Sequence, residues 1–303
     1  MTVERKCYFG RSSKISYLTI ILIFILLCHS REVSAGILSG AGFCARCLIP
    51  TLFPFFIISD MIISFGLPLN GHLRKRRLDI ILVGLICGFP HGARCATKLF
   101  EDGRITKGEY ERLLVLSNSP SPAFIISGVG SGMMGDARLG VILFFALLAS
   151  VMILALLFRH KEVSANDTTP TFGRDFSLVE SIKSAGQSSI TVASFVIFFY
   201  GVNSLITLPF KDNALKILIG PIMEIGSGCA IIASSVTLPL ISKMVLLGFA
   251  IGFSSLSVFM QCSAFISKSV SRKKLFFFKV LQGILVSLIS FLLTFIYKKW
   301  LFS

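Results

Sequence analysis

Three ionisable residues of this sequence lie well inside apolar stretches, where a charge is costly. They are Asp60, Arg94 and Glu224. A charged side chain at the centre of a bilayer costs at least about 2.5–3.5 kcal/mol on insertion scales, so such residues usually face a cavity or a partner. Arg94 is suited to an anionic ligand, and Glu224 is a second candidate for a functional role. The alternative is a structural ion pair between Arg94 and either Glu224 or Asp60.

Glycine, proline and small polar residues interrupt four apolar stretches, at 80–97, 113–130, 217–236 and 243–267. An interrupted helix exposes backbone N–H groups that attract anions, and glycine lets a ligand approach the backbone. The alternative is that the small residues only pack helices together. The predicted substrate-binding residues are Gly88, Phe89, Pro90, Gly92, Arg94, Asn118, Ser119, Ser121, Glu224, Gly226, Ser227, Gly228, Ser255, Ser257 and Gln261.

No catalytic or metal-binding arrangement stands out. Cys44 and Cys47 form a single C-x-x-C pair, and the four histidines are scattered. A zinc site needs four converging ligands. The sequence Gly130-x-Gly132-x-x-Gly135 follows an apolar stretch and not a strand, so it lacks the context of a dinucleotide site. We therefore expect no enzyme activity, no metal and no cofactor, apart from a coupling proton or sodium ion.

Composition indicates a polytopic membrane protein. The 303 residues are 54% hydrophobic and only 15% charged, with a mean hydropathy of +0.82. The formal charge of +15 comes from short basic loops, such as those predicted at 72–77, 159–174 and 268–279. Loops of this kind mark the cytoplasmic side of a membrane. The lipid bilayer and a small-molecule solute are the expected partners, nucleic acid is not, and a homo-oligomer stays open.

The order of apolar stretches predicts the topology. Residues 1–35 form a basic segment followed by a helix that resembles a signal anchor or a signal peptide. Full spans are predicted at 47–69, 139–158, 190–209 and 280–297. Residues 80–97 and 217–236 are predicted to be re-entrant hairpins, and 113–130 and 243–267 to be broken transmembrane helices. A capping box, Thr106-x-x-Glu109, predicts the start of the helix before the first broken crossing.

The two halves of the chain repeat the same order of elements. The stretch Ser121-Pro-Ala-Phe-Ile-Ile-Ser127 matches Ser257-Val-Phe-Met-Gln-Cys-Ser263 at an offset of 136 residues. Three crossings per half make the second repeat inverted. Inverted repeats with interrupted helices are typical of secondary transporters. We therefore predict an all-α membrane protein of the inverted-repeat class, with a first repeat at 36–160, which carries the gate domain, and a second at 174–298.

Several motifs resemble a known family. They are Gly88-Phe-Pro-His-Gly-Ala-Arg94, Leu99-Phe-Glu-Asp-Gly-Arg-Ile-Thr-Lys-Gly-Glu109, Asn118-Ser-Pro-Ser-Pro122, Pro50-Thr-Leu-Phe-Pro-Phe-Phe56, Glu224-Ile-Gly-Ser-Gly228 and Ser255-Leu-Ser-Val-Phe-Met-Gln261. The first three resemble a gate, or nucleoside-recognition, domain. Over about residues 15–298, the chain resembles the sporulation integral membrane protein YlbJ family, whose architecture is similar to that of concentrative nucleoside transporters.

The resemblance implies export of a small solute toward the developing spore. The family's suggested solute is dipicolinic acid, an anionic aromatic dicarboxylate. The expected location is the cell membrane or the outer forespore membrane. The alternatives are a nucleoside-type transporter with the same fold and a non-transporting membrane scaffold for spore envelope assembly.

Overall fold

Every regular element in the described part of the chain is helical. The computed structural model describes residues 20, 23–65, 78–157, 176–208, 213–267 and 269–301. The helices in these ranges are α1 (Ser30–Phe43), α2 (Ile49–Phe65), α3 (Leu78–Cys87), α4 (His91–Glu101), α5 (Lys107–Leu116), α6 (Ala137–Leu157), α7 (Leu178–Thr207), α8 (Asn213–Met223), α9 (Ile225–Ser234), α10 (Leu240–Phe253), α11 (Ser255–Ser263) and α12 (Arg272–Leu301). Two π-helical stretches complete the set, Cys44–Leu48 and Ala123–Met133, and the second is called the π segment below.

Among the described residues, four helical segments are long and apolar enough to cross a membrane. They are Ala137–Leu157, Leu178–Thr207, Leu240–Ser263 and Arg272–Lys299. Their outer faces carry large apolar side chains that are more than half exposed, such as Phe145, Phe198 and Phe295. Such a surface is stable only against lipid or another apolar partner. The predicted all-α, multi-pass membrane class is therefore confirmed.

The helix breaks lie inside the four interrupted stretches, and each has a local cause. Between α3 and α4, Gly88 has a φ of 79°, in the left-handed region that favours glycine. Between α5 and the π segment, Pro120 and Pro122 each remove a backbone donor. Glu224 separates α8 from α9 in an extended conformation, and Ser254 separates α10 from α11 with a φ of 68°. Re-entry into the bilayer and inversion of the second half stay predictions.

The Thr106 capping box is confirmed. Glu109 N–H donates to Thr106 Oγ1 at 3.3 Å, and Thr106 N–H donates to Glu109 Oε2 at 2.9 Å. These two bonds satisfy backbone donors that have no partner within the helix. The start of α5 at Lys107 is therefore fixed by sequence neighbours alone.

Two helices begin earlier than predicted. Helix α7 starts at Leu178, 12 residues before the predicted span at 190, because Ser177 caps it by accepting from Glu180 N–H at 3.3 Å. Helix α12 starts at Arg272, so Lys279 lies in a helix and not in the basic loop where we expected it. No glycine or proline stands between 272 and 280, and lysine and phenylalanine are tolerated in helices.

Some predictions fall outside the described residues. These are the basic residues of the first 19 positions, the loop at 72–77, the loop at 159–174 and the last part of the span predicted at 47–69. Within the described part of that span, α2 runs from Ile49 to Phe65. Residues 33–35, at the end of the segment predicted to resemble a signal anchor or a signal peptide, lie inside α1, which packs on α7.

Close helix packing depends on small residues. Gly36 and Gly40 of α1 lie against Ser204 and Tyr200 of α7. In the second half, Gly248 and Gly252 form a G-x-x-x-G pattern on α10, and α12 packs closely against them. Small residues let helix backbones approach where lipid offers no hydrophobic driving force.

Candidate functional site

Arg94 of α4 is paired with Asp60 of α2. Its Nη2 lies 3.2 Å from Asp60 Oδ2 and also donates to Ser184 Oγ on α7. Ser181 Oγ of the same helix donates to Asp60 Oδ2 at 3.3 Å. Of the two structural pairs left open by the sequence, the structure forms Arg94–Asp60. Arg94 Nη1 and Asp60 Oδ1 are buried without a hydrogen-bond partner in the described structure.

The tip between α3 and α4 packs against the break after α5. His91 is fully buried, with its ring centroid 3.9 Å from that of Phe56 and its Nδ1 3.1 Å from Gly88 O. A Cβ added at Gly88 would lie 2.8 Å from Ser121 N, and one at Gly92 would overlap the carbonyl oxygen of Ser117. The predicted tip residues Gly88, Phe89, Pro90 and Gly92 therefore adjoin the predicted break residues 118–121.

Polar groups of both halves meet at that break. Asn118 Oδ1 accepts from Cys262 Sγ of α11 at 3.0 Å, and Asn118 O accepts from Lys279 Nζ of α12. Gln282 Nε2 donates to Ser119 Oγ at 3.4 Å, and Lys279 Nζ donates to Gln282 Oε1 at 2.8 Å. We call Asn118, Ser119, Cys262, Lys279 and Gln282 the break cluster. All five residues are at least 90% buried.

Helix α11 carries three further predicted residues next to the break cluster. Gln261 Nε2 donates to Ser257 Oγ at 3.1 Å, and Ser255 Oγ accepts from Val258 N–H at 3.4 Å. Gln261 Oε1 is buried and has no hydrogen-bond partner in the part of the chain that is described. An unsatisfied polar atom of this kind costs free energy in a closed protein interior, so it is a candidate to receive a ligand's donor.

Glu224 lies in a separate polar group. Its carboxylate accepts from Ser227 N–H at 2.6 Å and so caps α9, and Ser227 Oγ accepts from Asn203 Nδ2 of α7 at 2.9 Å. Gly226 lies beside the Tyr200 hydroxyl, and Gly228 packs against the Pro221 backbone. Asn203 Oδ1 has no hydrogen-bond partner in the described ranges.

Arg94 and Glu224 sit at different levels along α7. Their groups contact this helix at Ser184 and Asn203, which are 19 residues apart. At a rise of about 1.5 Å per residue, this corresponds to about 28 Å along the helix axis. The two charges therefore do not pair with each other.

A narrow crevice opens onto the break cluster. It lies between α5, α11 and α12, and in this closed arrangement it has room for about one water molecule. Asn118, Cys262 and Lys279 provide its polar lining. The remaining lining is apolar: Leu114, Val115, Phe259, Ile266, Leu275 and Phe278. This combination suits a small ligand with an apolar body and one charged or polar end.

Lys279 and Gln282 were missed by the sequence reading. A signal was present, because residues 279, 282, 286, 290 and 294 follow a helical three-or-four-residue period. Lys279, Gln282, Ser290 and Thr294 are all buried, and Val286 lies between them on the same face. The cluster of basic residues at 272–274 masked this pattern, since it extended the predicted loop to 279.

The described residues contain no group of three or more His, Cys, Asp or Glu side chains placed to hold a metal ion. The polar groups that do converge are amides, hydroxyls, one amine and one thiol. Such groups bind by hydrogen bonding and charge, which fits recognition of an organic solute.

Comparisons with known proteins point to one relative. No family model and no solved structure matches the chain. The sporulation integral membrane protein YlbJ of Bacillus subtilis (strain 168) is 25% identical over 343 aligned positions, which cover 93% of this chain and 83% of that protein. The similarity extends along nearly the whole chain and agrees with the motifs that suggested it. The predicted resemblance to the sporulation integral membrane protein YlbJ family is therefore supported along nearly the whole chain.

Proposed function

We propose that this protein is a transporter that moves a small anionic solute, an aromatic dicarboxylate such as dipicolinic acid, from the mother cell toward the forespore. The observation that carries the proposal is the break cluster, where two interrupted helices and α12 bring polar groups together inside an apolar bundle. Irregular backbone at membrane depth is tolerated where it is buried in protein or lines a cavity. A pathway for a solute would explain why polar groups and interrupted helices lie together inside the bundle.

The positions of the helices support an internal repeat. Shifted by the offset of 136, Leu78–Cys87 becomes 214–223, which nearly coincides with α8, Asn213–Met223. In the same way Lys107–Leu116 becomes 243–252, within α10, and Ala137–Leu157 becomes 273–293, within α12. Matching interruptions in two halves are a feature of repeat-built transporters.

Charge and the relative support the proposed direction of transport. The crevice is lined by Leu275, which directly follows the basic residues 272–274 at the start of α12. Basic residues favour the cytoplasmic side, so the crevice would receive solute from the cytoplasm. The relative's name refers to sporulation, which supports the spore as the proposed destination.

Coupling to a proton or a sodium ion belongs to the same proposal. Glu224 and Asn203 both make hydrogen bonds with Ser227, so their side-chain oxygen atoms lie near one another. Among the described residues, Asn203 Oδ1 has no hydrogen-bond partner. Hard cations prefer oxygen ligands. This group is distant from Arg94 along α7, so coupling and anion recognition would use different residues.

Uptake of labelled dipicolinate into vesicles that contain the purified protein tests the function. We expect saturable uptake that depends on a proton or sodium gradient and is blocked by pyridine dicarboxylates. Gln261→Leu should lower kcat/KM at least tenfold, since it removes the amide oxygen Oε1, which has no hydrogen-bond partner among the described residues beside the break cluster. Gln187→Leu, at an exposed position of α7, is the matched control and should leave uptake unchanged.

Other outcomes separate the rival functions. Uptake that uridine blocks, with no effect of pyridine dicarboxylates, would replace the anion by a nucleoside. Absence of any uptake under either gradient would contradict transport and favour a scaffold in spore envelope assembly.

A further inference from the structure

Lys279 is a buried amine that has no acidic partner among the described residues. It is 6% exposed, and its Nζ donates to Asn118 O and to Gln282 Oε1. Both acceptors are neutral, and no carboxylate of the described residues contacts Nζ. An ammonium group buried among apolar helices without a counter-charge is expensive. A group in this situation is stabilised by an anion that arrives from outside the protein.

The crevice marks where an anion would reach Lys279 once α5, α11 and α12 move apart to admit it. Lys279 lines it together with Asn118 and Cys262, and two phenylalanines, Phe259 and Phe278, contribute to its apolar lining. The ammonium group has three donors, and two of them are used by Asn118 O and Gln282 Oε1. One N–H is therefore left for a carboxylate oxygen, with the aromatic side chains beside the body of the ligand.

From this arrangement we infer that Lys279 binds a carboxylate group of the transported solute in the crevice between α5, α11 and α12. This inference rests on the proposed function and names the residue that recognises the charge. The ligand class is a small carboxylate with a flat apolar body. Arg94, which the sequence favoured for this role, has its own carboxylate in Asp60.

A purely structural role for Lys279 would depend on its hydrogen bonds and not on its charge. Lys279 also ties the backbone at Asn118 to α12, as a cation near a helix end often does. A glutamine at 279 keeps a neutral donor for the Asn118 carbonyl but removes the charge. An arginine keeps the charge. Comparison of the two variants therefore distinguishes binding of an anion from the hydrogen bond that joins α12 to the Asn118 backbone.

The test measures thermal unfolding of the full chain in detergent with pyridine-2,6-dicarboxylate, and with 2,6-pyridinedimethanol as the neutral probe of the same shape. A ligand that binds only the folded state raises Tm. We expect the dicarboxylate, and not the dimethanol, to raise Tm of the unmodified protein. Lys279→Gln should abolish this shift, whereas Lys279→Arg should retain part of it.

Lys243→Gln is the matched control. Lys243 is a partly buried lysine that donates to a backbone carbonyl, Ala233 O, at 2.7 Å, away from the crevice lining. This variant should keep the full ligand-induced shift. A shift that survives in Lys279→Gln, an equal shift with the dimethanol, or no shift in the unmodified protein would each overturn the inference.

Uptake assays on the same variants separate this inference from the proposed function. Flux in the unmodified protein with an unchanged KM in Lys279→Gln would overturn the Lys279 assignment and leave transport intact. A dicarboxylate-specific Tm shift that Lys279→Gln abolishes, in a protein without flux, would support the binding site and overturn transport. A KM raised at least tenfold in Lys279→Gln, with kcat less affected, supports both.

Discussion

At the residue scale, Arg94 illustrates how a charge in an apolar helix is accommodated. Asp60 provides the counter-charge at 3.2 Å, Ser184 accepts a second bond, and the guanidinium carbon lies 5.6 Å from the centroid of the Phe56 ring. The side chains of Arg94 and Asp60 are 16% and 11% exposed. At this burial the pair is sensitive to loss of either partner, because the remaining charge has no water to solvate it.

Replacement of Asp60 by alanine should therefore destabilise the protein strongly. We expect the free energy of unfolding to fall by about 3–5 kcal/mol, the usual cost of removing one partner of a buried ion pair. Denaturant titration of the purified protein in detergent measures this change. The paired substitution Asp60→Leu with Arg94→Met should cost less than Asp60→Ala alone.

An exposed ion pair provides the control. Lys274 Nζ lies 2.6 Å from Glu111 Oε2, but the Lys274 side chain is 51% exposed. Lys274→Ala should change the free energy of unfolding by less than about 1 kcal/mol. Equal effects of Asp60→Ala and Lys274→Ala would show that the Arg94 pair contributes no more than a surface contact.

At the element scale, glycines let α3 and α4 close around the break after α5. A Cβ at either Gly84 or Gly92 would overlap the carbonyl oxygen of Ser117. Because the obstacle is backbone and not the end of a flexible side chain, neither helix can relax without moving the break. The break residues and the tip of the α3–α4 pair therefore hold each other in place.

Gly92→Ala should disrupt this packing. We expect Tm to fall by several degrees and any uptake activity to fall with it, since overpacking costs about 1–3 kcal/mol or more. Gly186→Ala is the control, because a Cβ at this helical glycine of α7 would meet nothing within 4 Å. Thermal unfolding of both variants, side by side, makes the comparison. A Gly92→Ala protein as stable as Gly186→Ala would contradict the close approach.

At the scale of the whole molecule, the basic residues orient the bundle. Arg272 starts α12 and is exposed, and residue 134 lies at the turn between the π segment and α6. The positive-inside rule assigns the Arg272 end to the cytoplasm. The sequence-based topology assigns the turn at 134 to the opposite side.

Cysteine labelling from outside intact cells tests this orientation. In a background without native cysteines, an impermeant thiol reagent should label Met134→Cys and spare Arg272→Cys. After the membrane is permeabilised, both positions should react, which controls for accessibility. Labelling of Arg272→Cys in intact cells would reverse the orientation and with it the proposed direction of transport.

Features set by near neighbours were predictable from the sequence. The membrane class follows from composition, the capping box from Thr106 and Glu109, and the helix breaks from the glycines, prolines and serines within them. These features depend on interactions over a few residues, where the local geometry of the chain leaves few options. The family resemblance also came from such local motifs.

Only the tertiary structure decided which polar groups meet. Arg94 binds Asp60 across 34 residues, and Lys279 binds Asn118 across 161. Which partner a buried charge obtains depends on how helices far apart in sequence pack against each other, and the periodicity of one helix does not contain this information. The sequence therefore determined that these charges need partners. The packing of α2, α5 and α12 determined which partners they contact.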